Sequence, residues 1–192
     1  MENVESMFEK SGALLRGHFL LASGLHSPVY WEKAKVLQYP EYAEALCGMI
    51  ADRYRERDVA VVAGPTTPGI ILAYETARQL GVRGIFAEKD DSGRRVFRRG
   101  FSIDPGERVL IVDDIFTTGG SVRDVIDAVD KLGGDIVGVG VLVDRSTGDI
   151  DLGVPFFACH TADVVTYRPD ECPLCEQGIP LVAPGSSKKT PS

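Results

Sequence analysis

Short apolar runs and amphipathic stretches alternate along this chain. VAVVA (Val59–Ala63), VRGIFA (Val82–Ala87), RVLIV (Arg108–Val112), IVGVGVLV (Ile136–Val143) and PFFA (Pro155–Ala158) are near-continuous apolar runs of strand length. Such runs predict strands buried on both faces. Between them, apolar residues recur at helical spacing over Val4–Leu15, Tyr39–Tyr54, about Gly69–Leu80 and Gly120–Leu132, the last ended by Gly133-Gly134. Near the N-terminus, His18–Ser23 and Val29–Trp31 read as two short strands around the turn Gly24-Leu25-His26. Lys89–Phe101 is polar and arginine-rich around Asp91-Ser92-Gly93, which predicts a hairpin or a mobile loop. The expected fold class is α/β, a mostly parallel central sheet flanked by helices. Ligands of such sheets sit beyond the C-terminal strand ends, and three loops emerge there: 64–69, 113–121 and 144–148.

Composition narrows the class. The chain has 192 residues, 44% hydrophobic and 26% charged, which suits one soluble domain with a substantial core. Residues 1–184 are expected to form it, with a tail over 185–192 (GSSKKTPS) too small and polar to pack. The net charge of −7 leaves no global basic field for nucleic acid. No apolar run approaches the roughly 20 residues that span a bilayer, and the N-terminus MENVESMFEK lacks a leader's apolar core. A cytoplasmic protein with neither nucleic-acid nor membrane partner is expected.

The most informative stretch is VLIVDDIFTTGGS, Val109–Ser121. Glycines in TTGGS let the backbone turn its N–H groups inward, the hydroxyls add donors, and a helix begins directly after. Its positive N-terminal end faces the same place, so the loop suits a phosphate. It is neither a Walker A loop nor a dinucleotide turn, since no Gly-Lys-Ser/Thr and no G-x-G-x-x-G is present. Asp113 and Asp114 would repel a bare phosphate nearby. They make sense beside a ligand with vicinal hydroxyls or a metal between the carboxylates and its phosphate. A lone Asp-Asp would most simply end a strand; the flanking residues favour a ligand site.

These thirteen residues resemble the signature of the type I phosphoribosyltransferases. The resemblance implies that fold, with a small N-terminal hood, and phosphoribosyl pyrophosphate as donor. It implies that Asp113 and Asp114 engage the ribose hydroxyls and that Ile115, Phe116, Thr117, Thr118, Gly119, Gly120 and Ser121 wrap the 5′-phosphate. The stretch Gly17–Leu37 is similar to the hood of the orotate phosphoribosyltransferases, through Phe19, Leu21, Ser23, Gly24, Ser27 and Pro28. GPTTPGI (Gly64–Ile70) resembles that family's pyrophosphate loop, AEKDD (Ala87–Asp91) the start of its catalytic loop, and LVDR (Leu142–Arg145) the strand end whose arginine binds orotate. The implied acceptor is therefore orotate, the product orotidine 5′-phosphate, and the setting pyrimidine biosynthesis. Orotate carries a carboxylate, which a guanidinium pairs bidentately. Arg145, Thr117, Ser23 and Gly24 are the expected base contacts, although Arg145 alone would more simply pair with Asp144 or Asp149.

The resemblance also implies Mg²⁺ carried on the substrate diphosphate, Lys89 and Asp114 as catalytic residues, and a homodimer in which the 88–100 loop reaches the partner's site. Three expected cations are absent: Ala22, Pro68 and Glu88 stand where lysine, lysine and arginine are usual. The arginines following Lys89, chiefly Arg94 and Arg95, are expected to supply the missing charge; Arg98 and Arg99 read equally well as a solvated hairpin. Two other functions share parts of the pattern. A purine or xanthine phosphoribosyltransferase would keep the central loop but not the hood pattern. A non-catalytic sensor of phosphoribosyl pyrophosphate would need a DNA-binding domain or basic face that the composition does not favour.

Four cysteines remain, Cys47, Cys159, Cys172 and Cys175. Cys172-Pro-Leu-Cys175 is a C-x-x-C knuckle, but zinc wants about four ligands. Cys159 and His160 would complete a site if the fold brings them close; otherwise the knuckle is a tight turn. His18 and His26 read as structural or solvent-facing, with His26 a possible substrate contact, and Trp31 as core.

Overall fold

The computed structural model describes residues 3–21, 23–148, 151–163 and 165–184, with the Lys33 side chain excluded. Ala22, Asp149 and the 185–192 tail, all singled out above, lie outside the described residues. Six strands form the central sheet: β3 (Val61–Pro65), β4 (Arg83–Lys89), β5 (Arg95–Phe97), β6 (Arg108–Phe116), β7 (Asp135–Asp144) and β8 (Phe156–Thr161). Their order is β5-β4-β3-β6-β7-β8, parallel throughout except for β5, which returns antiparallel to β4. A separate antiparallel hairpin, β1 (Leu14–Leu20) with β2 (His26–Trp31), forms the hood.

The apolar runs are buried on both faces, as their composition requires. On β6, Leu110 and Val112 join Phe8, Leu46, Ile50 and Leu72 in one core layer. Val109 and Ile111 join Val61, Val125, Val129 and Val141 in the other. The first layer belongs to α1 (Val4–Lys10), α3 (Pro40–Tyr54) and α4 (Pro68–Leu80), and the second to α5 (Gly120–Asp130). Each fully buried aliphatic side chain contributes on the order of 1.5–3 kcal/mol. Two short helices, α2 (Lys33–Val36) and α6 (Pro173–Glu176), complete the elements.

Three expectations change. The hood strands run over Leu14–Leu20 and His26–Trp31 rather than His18–Ser23 and Val29–Trp31, so His26 belongs to β2 and not to the turn. The first helix stops at Lys10 rather than Leu15, because Gly12 turns left-handed at φ +67° and the Ala13 amide closes back onto the Phe8 carbonyl. The apolar residues Leu14 and Leu15 then open β1. The strand predicted to end at Val112 continues to Phe116. Its two aspartates do not break the ladder, because Asp113 Oδ1 accepts from the Asp114 amide and Asp114 Oδ1 from the Ile115 amide. The Lys89–Phe101 segment is a hairpin, its turn held by Asp90 Oδ1, which accepts from the amides of Ser92 and Arg94.

Candidate active site

All the parallel strands end at one rim, and the expected site residues gather along it. β6 delivers Asp113 and Asp114 there, both buried. The chain then turns through Thr117–Gly119 into α5. Thr117, Thr118, Gly120 and Ser121 are exposed, and no side chain caps the helix, so its first N–H groups remain open to an anion. Gly119 has φ +78°, and a Cβ there would stand 2.6 Å from the Phe116 ring. Only glycine fits, and the turn aims the backbone inward. The loop encloses a cavity of about 100 Å³ lined by Asp113, Ile115, Phe116 and residues 117–122. Whole-ligand pockets run to several hundred Å³, so this cradle suits one end of a ligand, a phosphate.

The neighbouring loop after β3 is equally tight. A Cβ on Gly64 would collide with the Gly69 carbonyl, so the GPTTPG turn folds directly back onto itself. The Thr66–Thr67 peptide is cis. Arg95 holds this loop from β5: Nη1 donates to Thr66 Oγ1 at 2.7 Å and to the Ala87 carbonyl at 3.1 Å, while Nη2 donates to the Thr66 carbonyl at 3.1 Å. Arg95 is thus buried in the frame of the loop, its charge set directly behind the turn. The other arginines are spent differently. Arg99 forms a two-pronged pair with Glu88 at 2.8 and 2.9 Å, which lowers the Glu88 carboxyl below its ordinary range. Arg94 lies within 3.6 Å of Asp90, and Arg98 is exposed. Lys89, at the end of β4, is exposed and makes no ion pair among the described residues.

Arg145 follows β7 at the same rim. Its amide donates to the Phe116 carbonyl at 2.8 Å, which ties it to the start of the phosphate cradle and sets Thr117 beside it. The guanidinium is half-buried, and burial pushes it below its ordinary value while the nearby Tyr30 of the hood acts the other way. Among the described residues its Nε has no hydrogen-bond partner. The simpler pairing with Asp144 is not formed, because Asp144 Oδ1 accepts from the Ser146 amide. Asp149 lies outside the described residues. A desolvated guanidinium without a carboxylate is a receptor for one. Ser23 and Gly24 are exposed at the hood turn, which closes through the Gly24 amide onto the Leu21 carbonyl.

The proposed ligand set of Cys159, His160, Cys172 and Cys175 is not assembled. Cys159 Sγ lies against the Leu46 carbonyl at 3.5 Å, and the His160 ring packs on Trp31. Both lie on β8, which leaves the knuckle to other partners. Sequence reasoning missed Tyr30 facing Arg145, and Thr66 as the anchor of Arg95. A contact across 29 residues leaves no local signal.

The rim thus brings together a loop of open N–H groups and hydroxyls, two buried carboxylates beside it, the tight 64–69 turn backed by Arg95 and the half-buried guanidinium of Arg145. Comparison with known proteins gives the family. A family profile described as "Phosphoribosyl transferase domain" matches residues 34–161. The orotate phosphoribosyltransferase of Pelotomaculum thermopropionicum is 56% identical over 187 residues, 97% of this chain and 98% of that protein. That of Caldanaerobacter subterraneus is 52% identical with the same coverage. The solved orotate phosphoribosyltransferase of Aeropyrum pernix matches with a TM-score of 0.70 at 27% identity, over 82% of this chain and 93% of that one. An adenine phosphoribosyl transferase of Trypanosoma brucei shares the fold at a TM-score of 0.61 and 20% identity, over 81% of this chain and 79% of that one. The fold alone therefore does not choose the base.

Proposed function

The chain belongs to the orotate phosphoribosyltransferases, and we propose that the residues gathered at the strand rim carry that family's reaction here. The enzyme transfers the 5-phosphoribosyl group from phosphoribosyl pyrophosphate to orotate, in pyrimidine biosynthesis. At C1 of the ribose the bond to the pyrophosphate oxygen breaks, a bond to a ring nitrogen of orotate forms, and that nitrogen gives up its proton. The leaving group departs as pyrophosphate.

Binding is divided along the rim. The cradle Ile115–Ser121 takes the 5′-phosphate on open helix N–H groups and the hydroxyls of Thr117, Thr118 and Ser121. Asp113 and Asp114 take the ribose 2- and 3-hydroxyls, with Asp114 also steadying positive charge that develops on the sugar. The 64–69 loop, backed by Arg95, takes the diphosphate. This supports a partial answer to the absent lysines: Arg95 sets one cation behind the loop where Pro68 replaces a lysine. The hard carboxylate oxygens at this rim fit a Mg²⁺ ion carried in on the diphosphate, which would neutralise the leaving group. Lys89 adds a mobile cation, and Arg94 a weaker one. Arg145 pairs with the orotate carboxylate, between Thr117 and the hood turn at Ser23 and Gly24. Much of the rate then comes from positioning and preorganised charge.

β5 packs against α5 of its own chain, while the exposed hairpin tip over 91–94 is the part that would reach a second copy's site. Ile71 and Tyr74 stand exposed on α4, Tyr74 at 70%, and a homodimer would cover them. Among the described residues no helix is long and apolar enough to cross a membrane, and a cytoplasmic location is proposed with the pyrimidine role.

The observation that carries the assignment of the base is Arg145, a partly desolvated guanidinium tied to the phosphate cradle and, among the described residues, without a carboxylate partner. The test is incubation with phosphoribosyl pyrophosphate, Mg²⁺ and a panel of bases. Orotate's ultraviolet absorbance is expected to fall while adenine, hypoxanthine and xanthine remain unchanged. Consumption of a purine in place of orotate would reverse the assignment.

A further inference from the structure

The knuckle at Cys172 and Cys175 finds its partners in the hood. The Nε2 of His18, the Nδ1 of His26 and the two Sγ atoms all lie within 4.8 Å of one another. His18 Nε2 is 3.0 Å from His26 Nδ1 and 3.5 Å from Cys172 Sγ. Cys175 Sγ is 3.8 Å from His18 Nε2 and 3.4 Å from His26 Nδ1. For bonds of about 2.05 Å to nitrogen and about 2.3 Å to sulfur, a tetrahedral zinc site has edges of about 3.3 Å between nitrogens and about 3.6 Å between nitrogen and sulfur. Three nitrogen–sulfur edges of the cluster, 3.4, 3.5 and 3.8 Å, lie close to that value, the nitrogen–nitrogen edge of 3.0 Å is slightly short, and every edge is within 4.8 Å. We propose that His18, His26, Cys172 and Cys175 bind a zinc ion that staples the C-terminal segment to the hood hairpin.

Three independent features support this. The first is the tautomer. His18 Nδ1 lies 2.7 Å from the Ile179 carbonyl, so Nδ1 carries the proton and Nε2 presents its lone pair to the centre. That is the usual outer-shell arrangement of a metal-bound histidine. The second is ligand chemistry. Two thiols and two imidazoles in tetrahedral array select zinc among common ions, and four protein ligands close the site, which makes it structural rather than catalytic. The helical turn of α6 sets the C-x-x-C bite, with the Cys175 amide donating to the Cys172 carbonyl at 3.1 Å.

The third is need. A lone two-stranded hairpin is marginal in water. The segment that covers it, 165–182, is held by isolated bridges, Phe19 to Val182 and His26 to Tyr167. Val165, Ile179, Leu181 and Val182 in that segment stay exposed. Such a region buries too little apolar surface to hold itself, which is where small structures recruit a metal. The two histidines bracket the hood turn, one near the end of β1 and one at the start of β2, so a single ion fixes both sides of that turn and the chain that packs over it.

The test needs no activity measurement and is independent of the transferase assignment. The full chain, purified under reducing conditions without chelator or a polyhistidine tag, is analysed for metals by mass spectrometry. About one zinc per chain is expected. Cobalt exchanged into the protein should show the intense visible bands of a tetrahedral thiolate site. In Cys175→Ser, whose thiol is the most exposed of the four, zinc should fall to near zero and the cobalt bands should be lost or shifted. Should that variant fail to fold, zinc content and the cobalt spectrum of the unaltered chain decide alone. The proposal is overturned if the unaltered chain carries no zinc and takes up no cobalt, if it carries iron instead, or if Cys172 and Cys175 are found joined as a disulfide in the freshly reduced protein.

Discussion

The phosphate cradle and the hood stand at the same rim of one sheet, yet they are held in different ways. The cradle continues β6, which is flanked by β3 and β7 and buried on both faces, and it ends in the eleven-residue helix α5. The hood is two strands joined by a turn, covered by a segment more than 130 residues away in the chain. The first region is rigid by packing. The second has little packing and is fastened at points: Ser27 Oγ to the Val165 carbonyl, the two bridges, and the cluster of His18, His26, Cys172 and Cys175. In the proposed reading the rigid half takes the sugar phosphate, which is the same in every cycle, and the base lies between Arg145 at the end of β7 and the hood, the part that is easiest to rebuild.

Lys89→Ala should have the largest effect, since the lysine belongs to neither half and is proposed to act on the leaving group between them. Turnover is expected to fall roughly 10²- to 10³-fold, with little change in melting temperature because the side chain is exposed. Turnover near that of the unaltered enzyme would remove Lys89 from the mechanism. Gly119→Ala probes the rigid half. The left-handed backbone and the Cβ contact with Phe116 together should cost roughly 1–3 kcal/mol. The expected result is at least a several-fold higher KM for phosphoribosyl pyrophosphate and a nearly unchanged KM for orotate. Cys175→Ser probes the other half with the opposite sign of selectivity. Lost preorganisation of about 1 kcal/mol corresponds to roughly a fivefold rise in the KM for orotate, with that for phosphoribosyl pyrophosphate unmoved. An equal rise in both would mean that the two halves are one unit.

The smallest effect is on stability in alkali, and it concerns the packed half. Burial pushes the Cys47 and Cys159 thiols and the Tyr54 phenol up to about 12. Tyr54 also donates to the Val139 carbonyl at 2.8 Å. In the unfolded chain such groups ionise near about 8.5 and about 10. The folded state therefore holds its protons longer, so this stability is complete below about pH 8.5 and is lost as pH rises toward 12. The melting temperature should be level from pH 7 to 8.5 and fall above it, less steeply in Cys47→Ala. A level profile to pH 11 would contradict the burial of these groups.

The same division decides what was legible in the sequence. Thirteen contiguous residues, Val109–Ser121, encode strand, acids, cradle and helix start, and the apolar run, the glycines and the likeness to a family signature together locate them. What the local pattern hid was that β6 runs through Asp113 and Asp114, because two adjacent acids read as a strand end until their carboxylates are seen to satisfy the following amides. Arg145 was legible as a rim residue from the apolar run before it. The hood was not legible in the same way. His18 and His26 are eight residues apart and meet only because of the hairpin register, and their cysteine partners lie about 150 residues further on. With spacing as the guide, Cys159 and His160 were the nearer candidates, yet β8 turns them toward Leu46 and Trp31. Arg95 read, with Arg94, as a source of the missing charge; only the return of β5 alongside β4 sets it behind Thr66 and leaves Arg99 to Glu88.

The most direct measurement of the two-part site is the pair of KM values in Arg145→Ala. Loss of a charged hydrogen-bond partner of the orotate carboxylate should raise the KM for orotate roughly 10- to 100-fold, while that for phosphoribosyl pyrophosphate moves less than about twofold, within the scatter of independent sites. If the two constants rise together, or if only the one for phosphoribosyl pyrophosphate rises, Arg145 does not hold the base and the division of the rim proposed for this enzyme is wrong.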